Sequence, residues 1–195
     1  TPERIEQMAA LIELGVGPDQ WPSEWSRVDD QIQRADVKLG DQPAPGEGIA
    51  AAIARGPQGM LDDIKHSKLR GRGGAGFATG TKWQLCRDAQ GNQHYVVCNA
   101  DEGEPGTFKD RVLLSSYSDT VFEGMTIAAL VVGARRGLMY LRGEYRYLLE
   151  SLQEVLHGRR QRGLLGKAIQ GQTGFDFDID IHVGAGAYEI GRAHV

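Results

Sequence analysis

Three stretches of this chain concentrate residues able to hold a polar, phosphate-bearing ligand. The first runs Leu69-Arg-Gly-Arg-Gly-Gly-Ala-Gly-Phe-Ala-Thr-Gly-Thr-Lys-Trp83, with Gly71, Gly73, Gly74, Gly76 and Gly80 set among Arg70, Arg72 and Lys82. Glycine lets a phosphate or a flat ring reach backbone N–H groups that a side chain would cover, and neighbouring cations add attraction for anions. Gly71, Gly73 and Gly76 satisfy G-x-G-x-x-G, but a dinucleotide fingerprint needs a strand before the first glycine and a helix opening at the last. Here a helical stretch precedes and Gly80 soon follows, so that fingerprint is rejected. The bland alternative is a surface loop with no ligand.

The second stretch, Asn99-Ala-Asp-Glu-Gly-Glu-Pro-Gly-Thr-Phe-Lys-Asp-Arg111, directly follows the apolar run Tyr95-Val96-Val97-Cys98. Ligands of open α/β sheets sit beyond the carboxyl ends of strands. Asn99 offers both donor and acceptor to the edge of a heterocycle. Asp101, Glu102 and Glu104 can accept hydrogen bonds from ribityl or ribose hydroxyls. The competing reading is a solvated turn capping a helix from Thr107; it is preferred for Lys109, Asp110 and Arg111, as exposed charges, but not for Asn99, Asp101 and Glu104. Close carboxylates also bind divalent cations, yet nothing else supplies an oxygen cage, so no metal site is expected. The third stretch, Gly184-Ala-Gly-Ala-Tyr188, is another glycine-rich turn after a strand, and two such turns on adjacent strand ends form one cleft.

The elements that must position these residues follow from periodicity. Thr1 to Leu14 carries Ile5, Met8, Leu11 and Ile12 at helical spacing, and Gly40 to Gly48 is a linker by composition. Residues 1–48 therefore read as a helical leader and linker. Ile49–Ala54 and Gln58–Ser67 read as short helices, Val121–Val132 as a mostly buried helix, and Tyr145–Leu156 as an amphipathic one. Tyr95–Cys98, Leu138–Leu141 and Phe177–Val183 read as strands, the last alternating Phe177, Ile179, Ile181 and Val183 with Asp178, Asp180 and His182. The fold class is α/β, a mostly parallel sheet with flanking helices.

Composition sets the outer bounds. The chain has 195 residues, 27 of them glycine, and a formal net charge of −4; with a pI near 5.7 it carries no electrostatic footprint for nucleic acid. No apolar run approaches the roughly 18 residues of a membrane span. Cys86 and Cys98 are too few and too far apart for a metal site alone, and read as free thiols in a reducing compartment. The opening Thr1-Pro2-Glu3-Arg4 is no signal peptide and suggests a fragment of a longer, cytoplasmic chain.

Together, Gly71 to Phe77, Thr79-Gly-Thr-Lys-Trp83, Asn99-Ala-Asp-Glu-Gly-Glu-Pro-Gly-Thr107 and Gly184-Ala-Gly-Ala-Tyr188 resemble the flavoprotein subunit of NADH dehydrogenases. That family includes the NADH-binding subunit of respiratory complex I, the diaphorase subunit of NAD-reducing hydrogenases and the β subunit of NAD-dependent formate dehydrogenases. The resemblance covers about Ile49 to Tyr188, making residues 49–188 an incomplete FMN- and NAD(H)-binding domain. It implies that Gly71, Gly73, Gly74, Lys82, Asn99, Asp101 and Glu102 line FMN, that Phe77 stacks on the adenine of NADH, and that Glu104 lies near the nicotinamide; Arg72, Gly76 and Tyr188 join them as cofactor-binding residues. The flavin, not a protein acid or base, takes the hydride. Gly103, Leu141-Arg-Gly-Glu-Tyr145 and Gly174-Phe-Asp-Phe-Asp178 look most like the hydrogenase diaphorases.

Past Tyr188 the family continues Ile-Cys-Gly-Glu-Glu or similar, whereas Glu189-Ile-Gly-Arg-Ala-His-Val195 resembles a translated adapter and reads as a non-native tail. A later helical part with four cysteines for a 4Fe–4S cluster is also absent, so weak or no FMN binding is expected of these residues alone. The implied partners are NAD(H), iron–sulfur subunits, and a hydrogenase, formate dehydrogenase or complex I assembly, with a peripheral place on a membrane complex left open. The rival function is a non-catalytic module that holds a nucleotide or phosphate; flavin absorbance separates the two.

Overall fold

In a computed structural model of the chain, three strands form one parallel sheet in the order β1-β2-β3: β1 (Tyr95–Ala100), β2 (Arg136–Leu141) and β3 (Asp178–Val183). The structure describes residues 2–17, 20–22, 42–72, 74–91 and 93–186. The helices are α1 (Pro2–Glu13), α2 (Glu47–His66), α3 (Thr79–Asp88), α4 (Lys109–Ser116), α5 (Ser118–Val132) and α6 (Leu149–Gln161). The chain divides into two units, Thr1–Gln33 and Arg34–Val195. The first contains α1, on which Ile5 and Ile12 are exposed, and Trp21, whose indole donates to the Val16 carbonyl at 2.9 Å.

All remaining elements belong to the second unit. Parallel strands need crossovers: α4 and α5 carry the chain from β1 to β2, and α6 carries it from β2 to β3. Strand residues alternate sides. Ala100, Met139, Leu141 and Ile179 face inward and pack with Phe122, Ala129 and Val132 of α5 and Leu152 and Leu156 of α6. The opposite side bears Tyr95, Val97 and Tyr140, exposed at 45%, 62% and 39%, with Leu138 half-buried between them. Among the described residues, the buried core lies on one side of the sheet only.

The elements match the sequence reading in part. The two short helices expected at Ile49–Ala54 and Gln58–Ser67 are present as the two halves of α2, which meet at a non-helical Gly56 (φ 74°, ψ 160°) just before Pro57. Such a backbone suits glycine, and proline there needs no N–H. Tyr145, expected to open a helix, lies in a 3₁₀ turn, Gly143–Leu148, and the α-helix starts at Leu149. Helix α3 was not foreseen; only Trp83 and Cys86 of its residues rest on the core, which leaves little apolar periodicity.

Two helices are capped from a distance. The buried Glu123 carboxylate of α5 accepts the N–H groups of Gly46 (2.7 Å), Gly48 (2.8 Å) and Ile49 (3.2 Å), opening α2. Arg159 of α6, fully buried, donates to Glu123 (3.3 Å) and Asp119 (2.7 Å). One buried ion network thus joins α2, α5 and α6. The second such cap lies in the candidate site.

Candidate functional site

The three strands end level with one another, Ala100, Leu141 and Val183 being register partners. The turns beyond them are stitched together. The Arg142 N–H donates to the Ala100 carbonyl (3.0 Å) and the Gly184 N–H to the Leu141 carbonyl (2.7 Å). A Cβ on Gly143 would lie 2.8 Å from the Gly184 carbonyl oxygen, so glycine is what allows these two turns to approach.

The acidic turn folds on itself: Asn99 Oδ1 accepts the Asp101 N–H at 3.0 Å, and the Gly103 N–H donates to the Asp101 carbonyl at 2.8 Å. Asn99 and Glu104 are exposed and Asp101 is half-buried, so all three present polar atoms to solvent at the strand ends. Glu102 behaves otherwise. It is 4% exposed, and its carboxylate accepts the N–H groups of Asp110 (2.9 Å) and Arg111 (3.4 Å) and the Tyr145 hydroxyl (2.7 Å), with Lys109 Nζ at 3.9 Å. Phe108, before α4, supplies no side-chain acceptor, so Glu102 supplies it from upstream, at the positive end of the helix dipole.

The helix-capping reading therefore accounts for the Glu102 side chain, which turns into the protein; α4 begins at Lys109 rather than Thr107, and Asp110 and Arg111 are half-buried against this cap rather than exposed. Burial alone would raise the Glu102 pKa, but the donors from Asp110, Tyr145 and Arg111, with the nearby Lys109 charge, outweigh it and hold the carboxyl below its ordinary value. Burial, then the bond to Glu102, pushes Tyr145 up to about 12. The Arg142 guanidinium donates to the Glu102 carbonyl and to Glu144 (2.7 Å), and the latter bond holds the Glu144 carboxyl at about 2. The sequence marked Arg142 and Tyr145 only as part of a family-like stretch, Leu141 to Tyr145, and gave them no role in the site; that signal needs the fold, because the contacts cross from the exit of β2 to the exit of β1.

The glycine-rich run forms a closed loop. Arg70 and Ala78 make an antiparallel bridge, the Gly71 N–H donates to the Phe77 carbonyl (2.8 Å), and Arg70 Nε donates to the Gly76 carbonyl (2.5 Å). Gly74 and Gly76 have positive φ, 140° and 60°. Gly71 does not, and a Cβ there would meet nothing nearer than 3.7 Å. The fold itself does not require glycine at 71, which leaves that backbone open to close approach from outside. Phe77 is 53% exposed, and Arg72 and Lys82 are exposed, their side chains making no hydrogen bond or ion pair among the described residues. Gly80 serves packing instead: a Cβ there would press within 3.0 Å of the Lys65 backbone, where α3 meets α2. Helix α2, and not a strand, directly precedes the loop, which agrees with rejecting the dinucleotide fingerprint, although a helix does open at Thr79.

The loop and the strand-end turns share no hydrogen bond among the described residues. Gly73, Tyr188 and the tail 189–195 lie outside those residues. A cavity of about 370 Å³, between Ile53, Pro57, Arg135 and Asp176, lies at the other end of the sheet and includes none of the expected site residues. Among the described residues, no group of three or more His, Cys, Asp or Glu is placed to hold a metal ion, and no helix is long and apolar enough to cross a membrane.

Comparison with known proteins places most of the chain in one family. The family model described as the Nuo51 FMN-binding domain matches residues 64–195. The chain is 61% identical over 135 residues to the NAD-reducing hydrogenase HoxS subunit alpha of Cupriavidus necator, covering 69% of this chain and 22% of that protein. It is 41% identical over 179 residues to a subunit, designated F, of the NADH-quinone oxidoreductase of Escherichia coli, covering 90% and 39%. A crystal structure of an NAD⁺-reducing [NiFe]-hydrogenase in the H₂-reduced state aligns with a TM-score of 0.80 at 39% identity, covering 96% of this chain and 32% of that one. The chain thus spans well under half the length of these relatives.

Proposed function

This chain belongs to the Nuo51 FMN-binding domain family, and on that premise we propose that it is the flavin-holding part of an NADH:acceptor oxidoreductase subunit. The observation that carries the reading is the convergence of three level strand ends on exposed polar turns, in a chain whose glycine loop keeps Gly71 uncovered without any need of its own fold.

The residues present fit FMN. Gly71, whose own N–H serves the loop, leaves room for close approach; the N–H groups of Gly73, Gly74 and Gly76, with Arg72 and Lys82, suit the phosphate, and Asn99 and Asp101 suit the polar edge and ribityl hydroxyls of the flavin. Phe77 offers a face for an adenine ring, Glu104 lies on the same turn as Asp101, and Tyr188 completes the set. Glu102 contributes through the turn it anchors. Bound FMN would supply hydride acceptance from NADH and one-electron delivery to iron–sulfur centres. The chain's own part is to bind, orient and exclude water. Within the family we favour the hydrogenase diaphorases over complex I, given 61% identity to the hydrogenase protein against 41% to the quinone oxidoreductase one. The partners would then be NAD(H), iron–sulfur subunits and a hydrogenase, with a 4Fe–4S cluster outside these residues. We keep the domain at residues 49–188, after a leader, with a non-native tail from 189.

The experiment joins residues 1–186 to the remainder of the hydrogenase alpha subunit and records its absorbance. Flavin bands in stoichiometric amount support the reading. A colourless, folded product would instead favour a non-catalytic nucleotide- or phosphate-binding module.

A further inference from the structure

The exits of β1 and β2 are joined by a buried bond that the flavin reading does not itself require. Tyr145 donates to Glu102 at 2.7 Å, and both are buried, at 7% and 4% exposure. The same carboxylate holds the first N–H groups of α4, while Arg142 donates to the Glu102 carbonyl and sits with its guanidinium carbon 5.7 Å from the Tyr145 ring centre. The acidic turn, Asp101 to Glu104, is thus fixed at a single buried residue by donors from the turn after β2.

We propose that Tyr145 is a positioning residue of the flavin site: it locks Glu102 down onto α4, and so sets where Asn99, Asp101 and Glu104 stand at the strand ends. The ligand's identity in this proposal rests on the FMN reading above. A tyrosine donor is suited to the task because its rigid ring reaches across the strand exits and its hydroxyl stays protonated throughout the working pH range. The other charges facing the carboxylate are Lys109, Asp110 and Arg111 of α4, Arg142 after β2 and Asp101 on the turn itself. None of these replaces the hydroxyl, because Lys109 stands 3.9 Å away and Arg142 engages the carbonyl rather than the carboxylate.

The test uses the 195-residue chain without flavin, comparing wild type, Tyr145→Phe and Glu102→Gln. Amide hydrogen exchange at Asp110 and Arg111 should quicken on the order of tenfold in Tyr145→Phe, a loss of one hydrogen bond to a charged group, while the Glu123-capped amides of Gly48 and Ile49 stay unchanged. NMR titration of the Glu102 carboxyl carbon should show its midpoint rise by about one pH unit in Tyr145→Phe; a tyrosine that only filled space would leave that midpoint in place. In Glu102→Gln the exchange should quicken likewise, with the titration abolished. Unchanged exchange and midpoint, or equal quickening at Ile49 and Arg111, would overturn the proposal. A second arm uses the extended, flavin-binding version: Tyr145→Phe should weaken FMN on the order of tenfold, and a change under twofold would also overturn it. Failure of every version to bind FMN would sink the flavin reading instead, which the flavin-free arm tells apart.

Discussion

Single residues at this site do different jobs from the ones their types suggest. Glu102 sits in an acidic run that looks made for ligand hydroxyls, yet its carboxylate serves α4 and Tyr145, whereas Asn99, Asp101 and Glu104 on the same turn stay open. Its lowered pKa gives a sign to the acid response. A carboxylate held below its ordinary value adds stability that is present above about 4.5, the unfolded value, and is lost as pH falls through the folded one. Wild type should therefore lose stability between pH 4.5 and lower values more steeply than Glu102→Gln, as thermal melts across that window would show; parallel curves would contradict the linkage. Gly71 makes the opposite case, because the ordinary spacing around its absent Cβ means that Gly71→Ala should change folding stability by less than about 0.5 kcal/mol in urea melts. A larger loss would show that the fold, and not a ligand, needs that glycine.

At the scale of elements, strands were legible from the sequence because each carries a short run that is β-branched, continuously apolar or alternating: Tyr95–Cys98, Leu138–Leu141 and Phe177–Val183 each lie within two residues of the observed strands at either end. The break in α2 was legible in Gly56-Pro57. What was hidden depends on partners far along the chain. Glu123 caps α2 from 74 to 77 residues away, and nothing near it announces the role. Arg159 looks like a surface charge late in an amphipathic helix, but it is fully buried between Asp119 and Glu123. Removing one member of a buried ion network strands the others. Glu123→Ala should accordingly cost about 3–5 kcal/mol in denaturant melts, while Glu154→Ala, on the exposed side of α6, should cost under about 0.5 kcal/mol. Similar losses for both would mean that the network contributes little.

Over the whole molecule, the three turns proposed to hold the ligand were recognisable as motifs before any fold was known, and the level ends of β1, β2 and β3 explain why two of them belong together. The sidedness of the sheet was less legible, since alternation along a strand does not say which side is covered. Parallel sheets are ordinarily covered on both faces, yet here Val97 is 62% exposed whereas Met139 is fully buried. Val97→Lys should be nearly neutral in this chain, within about 0.5 kcal/mol, against about 2–5 kcal/mol for Met139→Ala; urea melts of the two variants would reverse in rank if the core lay on the other face. The central claim, that the glycine loop is kept open for a flavin phosphate, has its most direct test in FMN affinity. The measurement is FMN binding, by quenching of flavin fluorescence, to the version extended with the hydrogenase alpha remainder, with and without Gly71→Val. The account predicts tight binding that the valine weakens at least tenfold with an unchanged melting temperature. Equal affinity in the two folded proteins would contradict it.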